Sequence, residues 1–170
     1  MPLTALFPPG KGGGEGVAHG YKGKGITIHT VNDANGMPLH CTVTAANGDE
    51  RKQVIPLLDG IIVERKKRGR PRKRLKKIAC DKGYDDKKLR QVLRKRGIKP
   101  EISKRQWKNK KQRGRPMVKT IPRYKVERTF SWFQRKYRRI TTRWERKPAN
   151  FQVFLQFATI HMWIKKLIKG

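Results

Sequence analysis

Residues 64 to 77, E-R-K-K-R-G-R-P-R-K-R-L-K-K, carry a cation at nearly every position, so no core can form from them. Whatever folds here must be built from the segments on either side. A second basic stretch, residues 103 to 121, is interrupted by Trp107 and Gly114 and reads as another loop. Together these runs dominate a formal net charge of +32 over 170 residues. A surface of one sign repels itself unless a polyanion neutralises it, and the polyanion this implies is nucleic acid. An anionic membrane surface fits less well, because the basic clusters lie in Gly/Pro-rich loops and not on an amphipathic helix.

The remaining apolar material is enough for one domain with a real core. Cys41 and Cys80 stand far apart with no C-x-x-C pair, which indicates reduced thiols in a cytosol and neither a zinc knuckle nor a disulfide framework. The first ten residues lack the basic and apolar regions of a secretory signal. Residues 150 to 168 are apolar enough to be considered as a membrane span, but Gln152, Gln156, Thr159, His161, Lys165 and Lys166 make a buried amphipathic helix the better reading.

Residues 8 to 25 are too rich in glycine for regular structure and predict a flexible loop; they lack the G-x-x-x-x-G-K-[ST] order of a phosphate-binding P-loop. From Ile26 the pattern alternates, with Ile26, Ile28 and Thr30 on one face, a turn at Asn35-Gly36, then Leu39, Cys41 and Val43 on one face. This predicts a β-hairpin, with Asp33 serving the turn and His29 and His40 as ordinary strand histidines. Asp49 is placed to cap a helix through Val54, Leu57, Leu58 and Ile61, with Pro56 starting or kinking it. Ile78 to Cys80 reads as a strand, Asp85 as a cap, Leu89, Val92 and Leu93 as a helical stripe ended by Gly97, and residues 98 to 102 as a returning strand. Pro122 opens a further helix on which Val126, Phe130, Phe133 and Tyr137 face the core, beside a face carrying Glu127, Ser131, Gln134 and Arg138. The last helix, with Phe151, Phe154, Leu155, Phe157, Ala158, Met162, Trp163 and Ile164, supplies much of the core.

Two acids stand out in so basic a chain. Asp81 ends the strand at Cys80 and precedes a glycine turn, which places a carboxylate at the mouth of a βαβ-like unit, where ligands and metals sit. Glu127 follows on the helix, one turn after Arg123, which is close enough to orient it or to hold a phosphate. The candidate phosphate-binding cations are Arg68, Arg70, Arg72, Lys73 and Arg74 in the first basic run, Arg113 and Arg115 in the second, and Arg123, Arg128, Arg135, Lys136, Arg138 and Arg139 along the helix. Arg68-Gly69-Arg70-Pro71 and Arg113-Gly114-Arg115-Pro116 repeat an R-G-R-P core that resembles the AT-hook; two solvated loops holding DNA by its phosphates is the simpler reading.

The set G-K-G-G-G-E-G-V, D-A-N-G-M-P-L, G-R-P-R-K-R, D-K-G-Y at 81 to 84, R-Y-K-V-E-R-T-F-S-W at 123 to 132 and N-F-Q-V-F-L resembles the catalytic domain of bacterial insertion-sequence transposases of the DDE type. The resemblance covers nearly the whole chain. It implies an α/β, RNase H-like mixed sheet with flanking helices, in which three carboxylates hold two divalent metals, Mg²⁺ or Mn²⁺, for cleavage and joining of DNA strands at element ends. By this match Asp81 is the second acid and Glu127 the third, both catalytic and metal-binding. In the third motif, Tyr-x2-Arg-x3-Glu-x6-Lys, Arg123 and Glu127 fit, while Thr120 stands in the tyrosine slot and Gln134 in the lysine slot.

The first acid of the family lies on a strand just before the glycine loop, and here Thr4 occupies that place. The expectation is therefore a partial catalytic domain over residues 1 to 170, its first central strand missing or incomplete, and its active site short of one acid. It is either a truncated or decayed transposase or the downstream part of a frameshifted product. Its partners would be element ends and target DNA, a second copy on DNA, or an upstream-frame product, in a bacterial cytoplasm near the nucleoid. The alternative is a non-enzymatic basic DNA- or RNA-binding protein in which both acids are structural.

Overall fold

The computed structural model describes residues 2 to 61, 75 to 103 and 124 to 169. Among these, the chain forms a mixed sheet with helices on both faces. Strand β1 (Pro2–Leu6) runs antiparallel to β3 (Gly23–Asn32), in register from Leu3 opposite Val31 to Leu6 opposite Ile28. On its other side β1 runs parallel to β5 (Lys77–Cys80), which in turn runs parallel to β6 (Lys99–Ile102). Strand β4 (Pro38–Ala45) pairs with β3, and the short β2 (Ala18–Gly20) pairs with the start of β3. The resulting order is β4–β3–β1–β5–β6. At the sheet centre, where a missing or incomplete first strand was expected, stands Pro2–Leu6: Leu3 is apolar and packs into the core at 3% exposure, and both neighbouring strand edges need partners.

The hairpin forms as its residues dictate. Asp33 Oδ1 accepts hydrogen bonds from the amides of Asn35 and Met37, both at 2.8 Å, and Gly36 takes the φ of +85° that the turn requires. One expectation fails by a single position. The register shifts between Val31 and Asn32, opposite Leu39, so Leu39 packs on one face while Cys41 and Val43 pack on the other. The glycine-rich segment also contains more regular structure than its composition implies, since β2 and the start of β3 fall within it.

Asp49 caps a short 3₁₀ turn that leads into α1 (Val54–Asp59), with Pro56 tolerated in its first turn. Helix α2 (Lys87–Lys95) joins β5 to β6. Its cap is Asp86, which accepts from the amides of Lys88 and Leu89, and not Asp85. Asp85 is engaged one step away, by Arg90, whose Nη2 lies 2.6 Å from its carboxylate and also donates to the carbonyl of Ile102 at 2.9 Å. That fork ties the loop after β5 to the end of β6.

Two cores result. On one face Leu3, Val31, Ile78 and Ile102 pack with Leu57 of α1 and Leu93 of α2. On the other, Ile26, Ile28 and Cys41 pack with Phe133 of α3 (Tyr124–Lys136), Ile140 of α4 (Arg138–Thr141) and Phe151, Leu155, Ala158 and Met162 of α5 (Pro148–Lys169). The buried residues of α5 recur along one stripe. Phe154, Phe157 and Ile164, expected in the core, lie on its outer side instead. Among the described residues no helix is long and apolar enough to cross a membrane. Both cysteines are buried free thiols, and burial pushes Cys80 up to about 12.

His29 is fully buried in β3; its Nε2 lies 2.7 Å from Thr44 Oγ1, and its Nδ1 has no partner. Desolvation lowers its pKa from 6.5 to about 4. The unfolded chain therefore takes up this proton at higher pH than the folded one, so stability is full above pH 6.5 and is lost as the pH falls towards 4. The loss is roughly 3 kcal/mol. Urea denaturation across this window is expected to show that decline, and His29→Gln to remove most of it.

Candidate active site

The two candidate acids lie on elements next to the central strand, Asp81 after β5 and Glu127 on α3. Asp81 follows Cys80 at the carboxyl end of β5, and Cys80 stands level with Leu3 of β1. Thr4 and Asp81 are the residues that follow this pair in the two strands' direction. Asp81 is exposed, and its Oδ1 accepts from the amide of Lys82 at 2.7 Å, capping the short turn Lys82–Tyr84. Tyr84 anchors that turn with its ring in the core at 3% exposure, and burial pushes its phenol well above the usual value. A side chain at Gly83 would meet open space, so the described residues do not require glycine there.

Glu127 lies near the start of α3, which packs against β1. It is exposed. The helix is fixed two residues later by the fully buried Thr129, whose Oγ1 accepts from Asn32 Nδ2 at 3.1 Å and donates to the carbonyl of Gly36. Asn32 Oδ1 in turn accepts from Thr30 Oγ1 at 2.9 Å. A buried polar chain thus links α3, the end of β3 and the hairpin tip. Sequence reasoning missed this network; only the polar character of Thr30 and Asn32 in an otherwise apolar strand signalled it.

Beyond Glu127, α3 presents cations. Arg128 and Lys136 stand four residues to either side of Trp132, each 5.9 Å from the centre of its ring. Arg135 and Arg138 are exposed, as is Gln134 in the expected lysine slot. Arg139 lies 3.2 Å from Glu145 and 5.5 Å from the ring of Phe154. Arg68, Arg70, Arg72, Lys73, Arg74, Arg113, Arg115 and Arg123, and with them both R-G-R-P repeats, lie outside the described residues.

The second residue that sequence reasoning missed is Arg143, which is fully buried. Its Nε donates to the carbonyl of Glu145 at 2.8 Å, and its Nη2 to the carbonyls of Glu15 and Arg146 at 2.5 and 3.0 Å. Its own amide donates to the carbonyl of Pro9 at 2.9 Å, and the amide of Glu15 donates to that of Arg146 at 3.0 Å. The glycine-rich loop is thereby laid along residues 143 to 146. A Cβ at Gly12 would come within 2.0 Å of the Trp144 carbonyl oxygen, which leaves room there for glycine alone. The run of glycines announced a close backbone approach but not its partner.

Among the described residues no group of three or more His, Cys, Asp or Glu side chains is placed to hold a metal ion. The donors at the expected positions are two carboxylates and, on β1, a threonine. A neutral hydroxyl does not replace a bridging carboxylate, so this donor set does not fit three-acid, two-metal coordination.

The loop clamp predicts that Arg143→Met lowers stability by about 3 kcal/mol or more, because buried carbonyls lose their donors. Hydrogen exchange should show the amides of Gly12 and Glu15 exposed first, and Arg143→Lys should not restore them, since an ammonium cannot reproduce the fork.

Comparison with known proteins identifies the family. The family described as "Transposase DDE domain" matches residues 6–163. The chain is 39% identical over 132 residues to a protein of Burkholderia cepacia named "Putative transposase for insertion sequence element IS402", covering 78% of this chain and 59% of that one. It is 32% identical over 120 residues to the "Transposase for insertion sequence element IS1106" of Neisseria meningitidis serogroup B, covering 67% of this chain and 37% of that one. The chain thus spans less than two thirds of the length of either relative. No solved structure matches it. With nearly its whole length matched, the chain belongs to the DDE-domain transposase family.

Proposed function

We propose that this chain is the DNA-binding framework of an insertion-sequence transposase catalytic domain, lacking as it stands the first carboxylate for strand cleavage. The observation that carries the reading is the register of β1 on β5, Leu3 level with Cys80, which when extended by one residue lines Thr4 up with Asp81. That is where the resemblance expects the first and second acids to meet. The strand order β4–β3–β1–β5–β6, with β3 alone antiparallel to both its neighbours, supports an RNase H-like reading of the sheet. Helix α3 against β1 supports Glu127 as the third acid.

In the complete arrangement, a pair of divalent ions, Mg²⁺ or Mn²⁺, would activate the attacking oxygen and stabilise the leaving one. This chain's own residues supply less. Asp81, held by the Lys82 amide, and Glu127, carried on a helix fixed by Thr129, offer two of the three acids. The cations of α3 supply attraction for the phosphate backbone, which is independent of sequence and screened by salt. The chain's DNA partners, any second copy bound on that DNA, and a bacterial cytoplasmic setting belong to the same proposal. The reading as an unrelated basic binder has less support, because the family match extends through both acids.

Nicking of supercoiled DNA in Mg²⁺ and Mn²⁺ tests this. The chain as it stands is expected to bind without nicking, Thr4→Asp to gain nicking, and Asp81→Asn in that background to lose it again. Asp81-dependent nicking by the unmodified chain would show that the site works without the first acid. Binding without nicking by Thr4→Asp would remove the acid framework from the account. Separately, Arg135→Ala with Lys136→Ala should lower the slope of log affinity against log salt by about 2, as two phosphate contacts are lost. An unchanged slope would place the DNA elsewhere.

A further inference from the structure

The outer surface between α4 and α5 is grooved. One section, of about 390 Å³, is lined by Tyr137, Arg138, Arg139, Phe154, Phe157 and His161. The next, of about 460 Å³, shares Arg139 and Phe154 with it and continues to Trp144 and Asn150. Both are within the size range of ligand clefts.

The chemistry of this groove is uneven in a particular way. Aromatic rings stand in water at both ends, Phe157 at 65% and Trp144 at 54% exposure, although α5 has an inner stripe where such rings would be buried. Cations alternate with them: Lys11 Nζ lies 6.0 Å from the Trp144 ring, the Arg139 guanidinium lies 5.5 Å from the Phe154 ring, and Arg138 is exposed at the rim. Helix α5 contains no acid at all. Glu145, the one carboxylate in the lining, is engaged by Arg139 at 3.2 Å and by the Trp144 amide at 3.2 Å, so it stiffens the wall. In the middle, Tyr137 Oη and His161 Nδ1 stand 2.9 Å apart and offer hydrogen-bonding groups at the groove's edge.

Exposed rings interleaved with cations suit an unpaired nucleic-acid strand, whose bases stack on any aromatic face and whose phosphates follow the charge. A duplex keeps its bases stacked on one another and cannot use the rings. A protein helix would use the rings but not the alternating cations, and a second copy of so cationic a chain would be repelled. Tyr137 follows the last residue of α3, so the groove begins where that helix ends.

We infer that the α4–α5 groove is a single-strand site, which holds unpaired DNA by stacking bases on Phe157 and Trp144 and pairing phosphates with Arg138 and Lys11. This rests on the DNA-binding reading above and adds to it a preference for unpaired over paired strands. The test compares binding of the chain to a blunt duplex and to the same duplex carrying an overhang of about eight nucleotides, with 2-aminopurine in the overhang reporting stacking. The overhang is expected to raise affinity by about tenfold or more. Phe157→Ala should abolish that gain while leaving blunt-duplex binding unchanged, and Phe157→Trp should retain it. Equal affinity for the two DNAs, a gain that survives Phe157→Ala, or equal weakening of both DNAs would overturn the inference. Failure to bind either DNA would overturn the DNA-binding reading itself.

Discussion

The pairing of β1 on both its edges is the interaction on which the rest depends. Five residues, Pro2–Leu6, close the gap between the antiparallel half of the sheet, β3 and β4, and the parallel half, β5 and β6. Without them, β3 and β5 would each expose a row of unpaired backbone groups, and the two cores would have no common floor. The pairing with β5 is short, extending only over Pro2 and Leu3, yet its register is what the alignment of Thr4 with Asp81 is extended from. Fold and candidate chemistry therefore rest on the same few residues.

Around this strand the molecule is fastened by buried polar groups as well as by apolar packing. Thr129, Asn32 and Thr30 bind α3 to the end of β3, and Arg143 binds the glycine-rich loop to the segment before α5. Buried polar groups cost free energy unless they are satisfied, and satisfied they allow one arrangement over others. In both places the polar link joins segments far apart in sequence.

Much of the fold was legible because local rules and tertiary structure agreed. The Asn35-Gly36 turn, the Gly97 stop with its φ of +69° and the parallel β5–α2–β6 unit follow from short-range chemistry. The misses have distinct causes. Leu39 changes face because a register shift opposite it breaks the alternation. Asp86 caps in place of Asp85 because two adjacent aspartates are equivalent on paper, while only one finds Arg90. Phe154, Phe157 and Ile164 lie outside because α5 is apolar around most of its circumference, so periodicity did not identify the buried side. Arg143 was invisible because composition assigns an arginine in this chain to the surface. Of the candidate site, Asp81 was marked by its place after a strand and Glu127 by being a rare acid one turn after Arg123, while their roles came only from the resemblance.

The most direct test of this account is amide hydrogen exchange along the first strand. If Pro2–Leu6 closes the sheet, the amides within Leu3 to Leu6 that face β3 exchange only with global unfolding, as slowly as those of Ile28 and Ile78. If they exchange at loop rates while β3 stays protected, then β1 is not the centre of the sheet, and the placement of Thr4 beside Asp81 falls with it.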